Sequence, residues 1–240
     1  MPWNKEEDTI AVSFPSPPEQ PTERDLLGGL ARIHDPLGLV SPTTLTGKML
    51  YRDVCDSRIA WDKTLPSLLL NRWTAWKNCL PKKVEIPRSL VKYQEETEAI
   101  DLHGFGDASG KGVSAAVYTV IHQAQGINQG LLTAKSRLSK KGLIIPKQEL
   151  VSAHMAANLI HNVKTALSGL PVRSVYCWLD SSVALHWLKG NGDYKQFVAN
   201  RVRKIQQHDF IQWRHVRSED NPADLGSRGG RVDVSADLWW

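Results

Sequence analysis

Cysteine is scarce in this 240-residue chain. Cys55, Cys79 and Cys177 are its three copies, and none stands in a Cys-x-x-Cys pair. A disulfide framework and a cysteine zinc site are both excluded, and the three read as reduced, mostly packed thiols. Long apolar runs are also missing. No stretch approaches the roughly 18 consecutive apolar residues of a membrane span, and the opening Met1 to Asp8 is polar, unlike a secretory signal. The chain therefore reads as soluble and intracellular, with no membrane partner. Histidines lack metal-ligand spacing: His154 and His161 are seven apart with no partner three or four residues away, which suits helix surface or core better than zinc. Disorder along the whole chain is excluded by 41% hydrophobic and 23% charged residues.

The net charge of +5 is unevenly distributed. Residues 1–100 carry 13 basic and 14 acidic side chains, whereas residues 101–240 carry 17 and 11. The basic excess of the second half hints at a polyanionic partner.

Phe14 to Pro21 holds four prolines, which forbids regular helix and reads as an extended linker, so residues 1–21 are expected to be the tail of an upstream segment. Thr22-Glu23-Arg24-Asp25 is a helix start, and His34-Asp35-Pro36-Leu37-Gly38 stops that helix. Apolar spacing predicts further helices over Pro42–Asp56 and Ser67–Leu80. Residues 22–98 thus form a small helical unit, closed by Pro81-Lys82-Lys83 and the acidic Glu95-Glu96-Thr97-Glu98. The pattern then changes. Strands are predicted over Ile100–Asp107 and Val113–Ile121, joined by Gly110-Lys111-Gly112, and around Leu131–Ala134. Pro146 opens a helix to about Leu167, followed by a strand at Val172–Leu179, helices at Ser181–Leu188 and Tyr194–Gln207, a strand at Phe210–Val216 and a last helix from Asn221-Pro222. This order implies an α/β fold with a mixed five-stranded sheet and flanking helices, preceded by the small helical unit.

Four carboxylates fall where such a fold gathers them. Asp107 and Asp180 end two strands; Asp180 follows the apolar run Tyr176-Cys177-Trp178-Leu179, where a lone carboxylate pays for desolvation. Glu149 heads the stripe 149, 153, 156, 160, 163 and 167, the face that packs on the sheet. Asp224 lies in the first turn of the last helix, with Asn221 as its cap. Taken singly, Glu149 and Asp224 also suit the helix dipole and Asp180 a turn. Two strand ends and two helix starts can meet at one sheet edge, and four carboxylates share a site only with cations to neutralise them. Hard oxygen ligands of this kind suit Mg²⁺.

Gly106-Asp107-Ala108-Ser109, Pro146 to Leu150, Trp178-Leu179-Asp180-Ser181 and His215-Val216-Arg217 through Asn221-Pro222-Ala223-Asp224-Leu225 resemble the Asp-Glu-Asp-Asp series of ribonuclease H. The wording is similar to the Pol polyprotein of BEL/Pao-type long-terminal-repeat retrotransposons: Ile33 to Pro42, Pro146 to Leu150, and Asn221 to Gly229. The likeness runs from about Thr22 to Arg231. It implies a reverse-transcriptase thumb or connection over residues 22–98, a ribonuclease H-like domain over 99–231, and a tail over 232–240 leading to a downstream segment. It further implies two-metal hydrolysis of the RNA strand of an RNA–DNA hybrid, with Asp107, Glu149, Asp180 and Asp224 as both catalytic residues and metal ligands, two Mg²⁺ ions and Mn²⁺ as a substitute. Asp107 would bridge both ions. The implied partners are the hybrid and the reverse-transcriptase palm of a parent polyprotein; the implied location is the cytoplasm, in virus-like particles, or the nucleus. Ser109 is a candidate for the hybrid's minor groove, and Lys135, Arg137, Lys140 and Lys141 for its phosphates, although each of the four also fits solvated loop charge.

One departure is visible. Cellular ribonucleases H carry a histidine in a longer loop before the last acid, whereas only Val216 to Ala223 separates His215 from Asp224 here. His215 itself is expected to be packed or hydrogen-bonded within its strand. Two other functions compete. A ribonuclease H-like module that only binds nucleic acid would have no need of the acidic cluster. A retrotransposon aspartic peptidase would require Asp-Thr-Gly or Asp-Ser-Gly, and neither tripeptide occurs. A Tyr-x-Asp-Asp polymerase motif is likewise missing.

Overall fold

Thr22 and Asp25 set the first helix by reciprocal capping: the Thr22 hydroxyl accepts from the Asp25 amide, and the Asp25 carboxylate accepts from the Thr22 amide at 2.9 Å. Helix α1 (Glu23–Ala31) buries Leu26 against α2 (Ser41–Asp56) and α3 (Ser67–Cys79), whose Trp73 and Trp76 rings lie 4.9 Å apart. The computed structural model describes residues 1–15, 18–190, 192–232 and 238–240.

The helical unit carries strands that the proline pattern conceals. Strands β1 (Trp3–Asn4), β2 (Thr9–Ser13) and β3 (Lys83–Pro87) form an antiparallel sheet in that order. Within residues 1–21, expected to be the tail of an upstream segment, β1 and β2 are thus paired, with Val12 opposite Val84 and both buried. The Arg88 guanidinium closes this sheet on Asp8 at 2.6 Å. Ser16 and Pro17 of the proline run lie outside the described residues.

The main sheet is built from β4 (Ala99–Ala108), β5 (Gly112–Gln123), β6 (Gly126–Leu138), β7 (Val172–Leu179) and β8 (Gln212–His215), in the order β6-β5-β4-β7-β8. Antiparallel pairing joins β4, β5 and β6; β7 runs parallel to β4 and to β8. The α/β reading and its mixed five-stranded sheet are as expected, with β6 far longer than the predicted Leu131–Ala134. Helices α4 (Ile145–Ala166), α5 (Ser182–Lys189) and α6 (Gln196–Gln206) cover one face through Leu150, Ala153, Ala156, Ile160, Leu185 and Val202. The short α7 (Ala223–Arg228) lies across β4, β5 and β6.

Two glycines permit these close approaches. A Cβ at Gly106 would stand 3.1 Å from the Ser152 backbone of α4, and one at Gly226 would collide with the Ser114 hydroxyl. The segment expected to be a tail contributes two residues to the core. Trp239 is fully buried and donates its indole N–H to the Leu39 carbonyl at 2.7 Å, while Val232 is buried beside it; residues 233–237 lie outside the described part. Two cysteines depart from expectation: Cys55 and Cys79 are exposed and only Cys177 is packed. Among the described residues no helix is long and apolar enough to cross a membrane.

Candidate metal centre

Strand register brings the acids together. β4 and β7 run parallel with Gly106 beside Leu179, so Asp107 and Asp180 emerge from adjacent strand ends. Glu149 reaches them from the first turns of α4, which Pro146 starts and whose sheet-facing stripe it heads. Asp107, Glu149 and Asp180 each offer a carboxylate oxygen within 4.8 Å of the others.

This cluster is largely dry. Asp107 is 4% exposed and Glu149 7%. Burial, then repulsion from Asp107 and Asp180, pushes the Glu149 carboxyl up to about 8, against a backbone hydrogen bond from Ala108. Burial also pushes Asp107 up to about 6, with Asp180 and Asp224 adding to the shift and the Ser227 hydroxyl opposing it. One Glu149 oxygen, Oε2, is buried with no hydrogen-bond partner among the described residues. Hard oxygen donors, mutual repulsion and an unpartnered buried oxygen together fit a hard divalent cation.

Asp224 stands apart. It sits in the first turn of α7, near enough to repel Asp107 and Glu149, but outside the three-carboxylate group, and its Oδ1 accepts from Arg228 Nε at 2.7 Å. Pro222, and not Asn221 as expected, holds the N-cap position of α7. Asn221 instead ties the helix down. Fully buried, it accepts from the Ala223 amide and donates to the Gly106 carbonyl at 3.1 Å, tying α7 to the strand that carries Asp107.

Sequence reasoning missed two hydroxyls. Ser227 donates to Asp107 Oδ2, and Ser218 donates to Asp180 Oδ2 at 2.7 Å. Ser227 follows Asp224 by three residues and so shares its helix face, a legible signal. Ser218 lies in a 3₁₀ turn, 38 residues from Asp180, with no such signal.

The expected nucleic-acid contacts divide. Ser109 uses its hydroxyl internally, donating to the Ser227 carbonyl at 2.8 Å and accepting from the amides of Lys111 and Gly112. Lys141 pairs with Asp56 at 2.5 Å. Lys135, Arg137 and Lys140 are exposed and belong to no salt bridge among the described residues. Of the two expectations for His215, packed or hydrogen-bonded within its strand, the first is not met: it ends the edge strand β8 exposed, paired with Leu179 of β7.

The family model described as "Pao retrotransposon-like RNaseH-like domain" matches residues 22–181. Its span holds both the helical unit and Asp107, Glu149 and Asp180; Asp224 lies beyond it. Among solved structures, the chain is similar to RNase H1 from the halophilic archaeon Halobacterium salinarum (15% identity, TM-score 0.35, covering 52% of this chain and 90% of that one). It is similar to LC11-RNase H1 in complex with RNA/DNA hybrid (18%, 0.36, 52% and 91%). A foamy viral protease-reverse transcriptase in complex with dsDNA matches over 82% of this chain and 38% of its own (11%, 0.47). No curated protein matches the sequence.

Proposed function

The chain belongs to the family of Pao retrotransposon-like RNaseH-like domains, and from that membership we propose that it is a ribonuclease H that hydrolyses the RNA strand of an RNA–DNA hybrid. The observation that carries this reading is the convergence of Asp107, Glu149 and Asp180 within 4.8 Å at one edge of the sheet. A structural role alone offers no reason to bury two carboxylates against a third, since each loses solvation and repels the others.

Asp107, Glu149 and Asp180 would hold Mg²⁺, or Mn²⁺ in its place, with Asp224 as the fourth acid. Bound there, the divalent cations supply a lowered water pKa and neutralisation of charge at the leaving oxygen. Ser227 keeps the Asp107 carboxylate in one orientation, and Ser218 does the same for Asp180. Asn221 fixes the distance between α7 and β4, and with it the reach of Asp224. Arg228 balances the charge of Asp224, the acid that would serve a second cation. Burial of Glu149 excludes bulk water from one side of the site.

On the same reading the chain is a Pol-derived segment working beside a reverse-transcriptase palm, within virus-like particles, and residues 22–98 act as its connection. The test is selectivity. Given Mg²⁺ or Mn²⁺, the purified chain is expected to cut RNA in a hybrid and to spare single-stranded RNA and double-stranded DNA. Tight binding of the hybrid with no cleavage in either metal would instead support a binding module.

A further inference from the structure

The helical unit and the main sheet meet along a groove of about 600 Å³ between the His34–Gly38 turn, α2 and the edge strand β6. Lys48 of α2 and Lys135 and Arg137 of β6 line it, together with Thr44 and Thr133. None of the three cations belongs to a salt bridge among the described residues. The one carboxylate in the lining, Asp35, is already committed: its two oxygens accept from the amides of Leu39 at 2.9 Å and Val40 at 2.8 Å. Partial desolvation, followed by repulsion from Lys135 and Arg137, holds the Lys48 ammonium below the ordinary lysine value, with Asp35 pulling the other way. Three positive charges therefore face one open space against the single carboxylate of Asp35, which leaves the groove with a net positive excess. Such a site attracts a polyanion.

Position in the sheet narrows the partner. Lys135 and Arg137 pair with Ala115 and Val113, so they share the sheet face that carries α4, whose first turns hold Glu149. Between them, Ser136 pairs with Ser114, which pairs with Asp107. Two strand spacings, about 10 Å, thus separate this part of β6 from the acidic cluster. Lys135 and Arg137, two residues apart on one strand, repeat at about 6.8 Å, a spacing suited to successive phosphates. We infer that this groove seats the phosphate backbone of the nucleic acid, and that the helical unit contributes to the grip through Lys48. The identity of the partner rests on the proposed function; the charge geometry does not.

The test is the salt dependence of binding by the full chain to a short RNA–DNA hybrid in EDTA, read by fluorescence anisotropy over about 50 to 200 mM salt. Each phosphate that the protein no longer neutralises should flatten the log K against log salt slope by about 0.9. Lys48→Gln is then expected to weaken binding up to about eightfold at ~0.1 M salt, and Lys48→Gln/Lys135→Gln/Arg137→Gln to flatten the slope by about 2.7. Lys48→Arg should restore the slope. A control that removes the same charge elsewhere, Lys5→Gln/Lys63→Gln/Lys82→Gln, should move it far less. The inference is overturned if Lys48→Gln leaves the slope unchanged, or if the groove triple matches the control. Loss of polyglutamate binding with hybrid binding intact would assign the groove to an acidic protein segment and equally overturn it. Failure of the wild type to cleave would sink the nuclease reading while leaving the slope difference in place.

Discussion

Glu149→Gln should stabilise the protein when no divalent cation is present. The Glu149 carboxyl is raised from its ordinary 4.5 to about 8, so the folded state keeps its proton at pH 7 while the unfolded chain releases it. A raised acid binds more protons in the folded state, and stability must fall as pH climbs from about 4.5 towards 8. The interval of about 2.5 pH units up to neutrality, at about 1.4 kcal/mol each, amounts to about 3.5 kcal/mol. Glutamine is isosteric and neutral, so it fills the same space and removes the titration, although its amide buries one more donor than the protonated acid does. For a chain of this length the expected gain is roughly 7 to 14 °C in melting temperature at pH 7 in EDTA. At pH 4, where both states are protonated, the two proteins should melt together. Saturating Mg²⁺ should restore the wild type by about 2.7 kcal/mol at one hundred times its dissociation constant, and the variant by less. Equal melting at pH 7 in EDTA, or a gap that persists at pH 4, would refute the reasoning that the cluster is built from destabilising carboxylates.

Ser227→Ala should weaken Mg²⁺ binding, measured by calorimetry, by about tenfold, because support of a metal ligand is typically worth 10- to 100-fold; Ser227→Thr, which keeps the hydroxyl, should recover most of it. Gly226→Ala should cost about 2 kcal/mol or more in urea unfolding, since the new methyl collides with the Ser114 hydroxyl. Trp239→Ala should cost about 3 to 5 kcal/mol by the same assay, as it empties a buried site and orphans the Leu39 carbonyl; a change near zero would mean that the last residues are not part of the core.

The parts legible in sequence are those with strong local grammar. Thr22-x-x-Asp25 announces α1, and the apolar stripe from Glu149 announces both α4 and the inward direction of its acid. Strand-end Asp107 and Asp180 are visible because each closes an apolar or glycine-flanked strand, and β4–β7 pairing then brings them together. Long-range pairing is not visible. β2 joins β3 across some seventy residues, and neither has a local signal beyond a few β-branched residues beside prolines. Trp239 reads as a tail residue because its partners, Leu39 and Ala116, come from the turn before α2 and from β5, both far away in sequence. The place of Asp224 is half legible: its helix start can be read, but its ion pair with Arg228 depends on a side-chain choice within α7. Ser109 shows the opposite case, a hydroxyl read outward by motif and hydrogen-bonded within the hairpin and to α7.

The most direct test of the central claim is cleavage of a hybrid labelled on both strands, comparing the wild type with Asp107→Asn in Mg²⁺. Asparagine keeps an acceptor for Ser227 and removes one charge, so the variant should fold as well as the wild type or better. The account predicts RNA fragments from the wild type, an intact DNA strand, and a loss of cleavage of at least about a thousandfold in a variant with an undiminished melting temperature, given the several kcal/mol that metal charge supplies in the transition state. Equal cleavage by Asp107→Asn, or cutting of both strands alike, would contradict it.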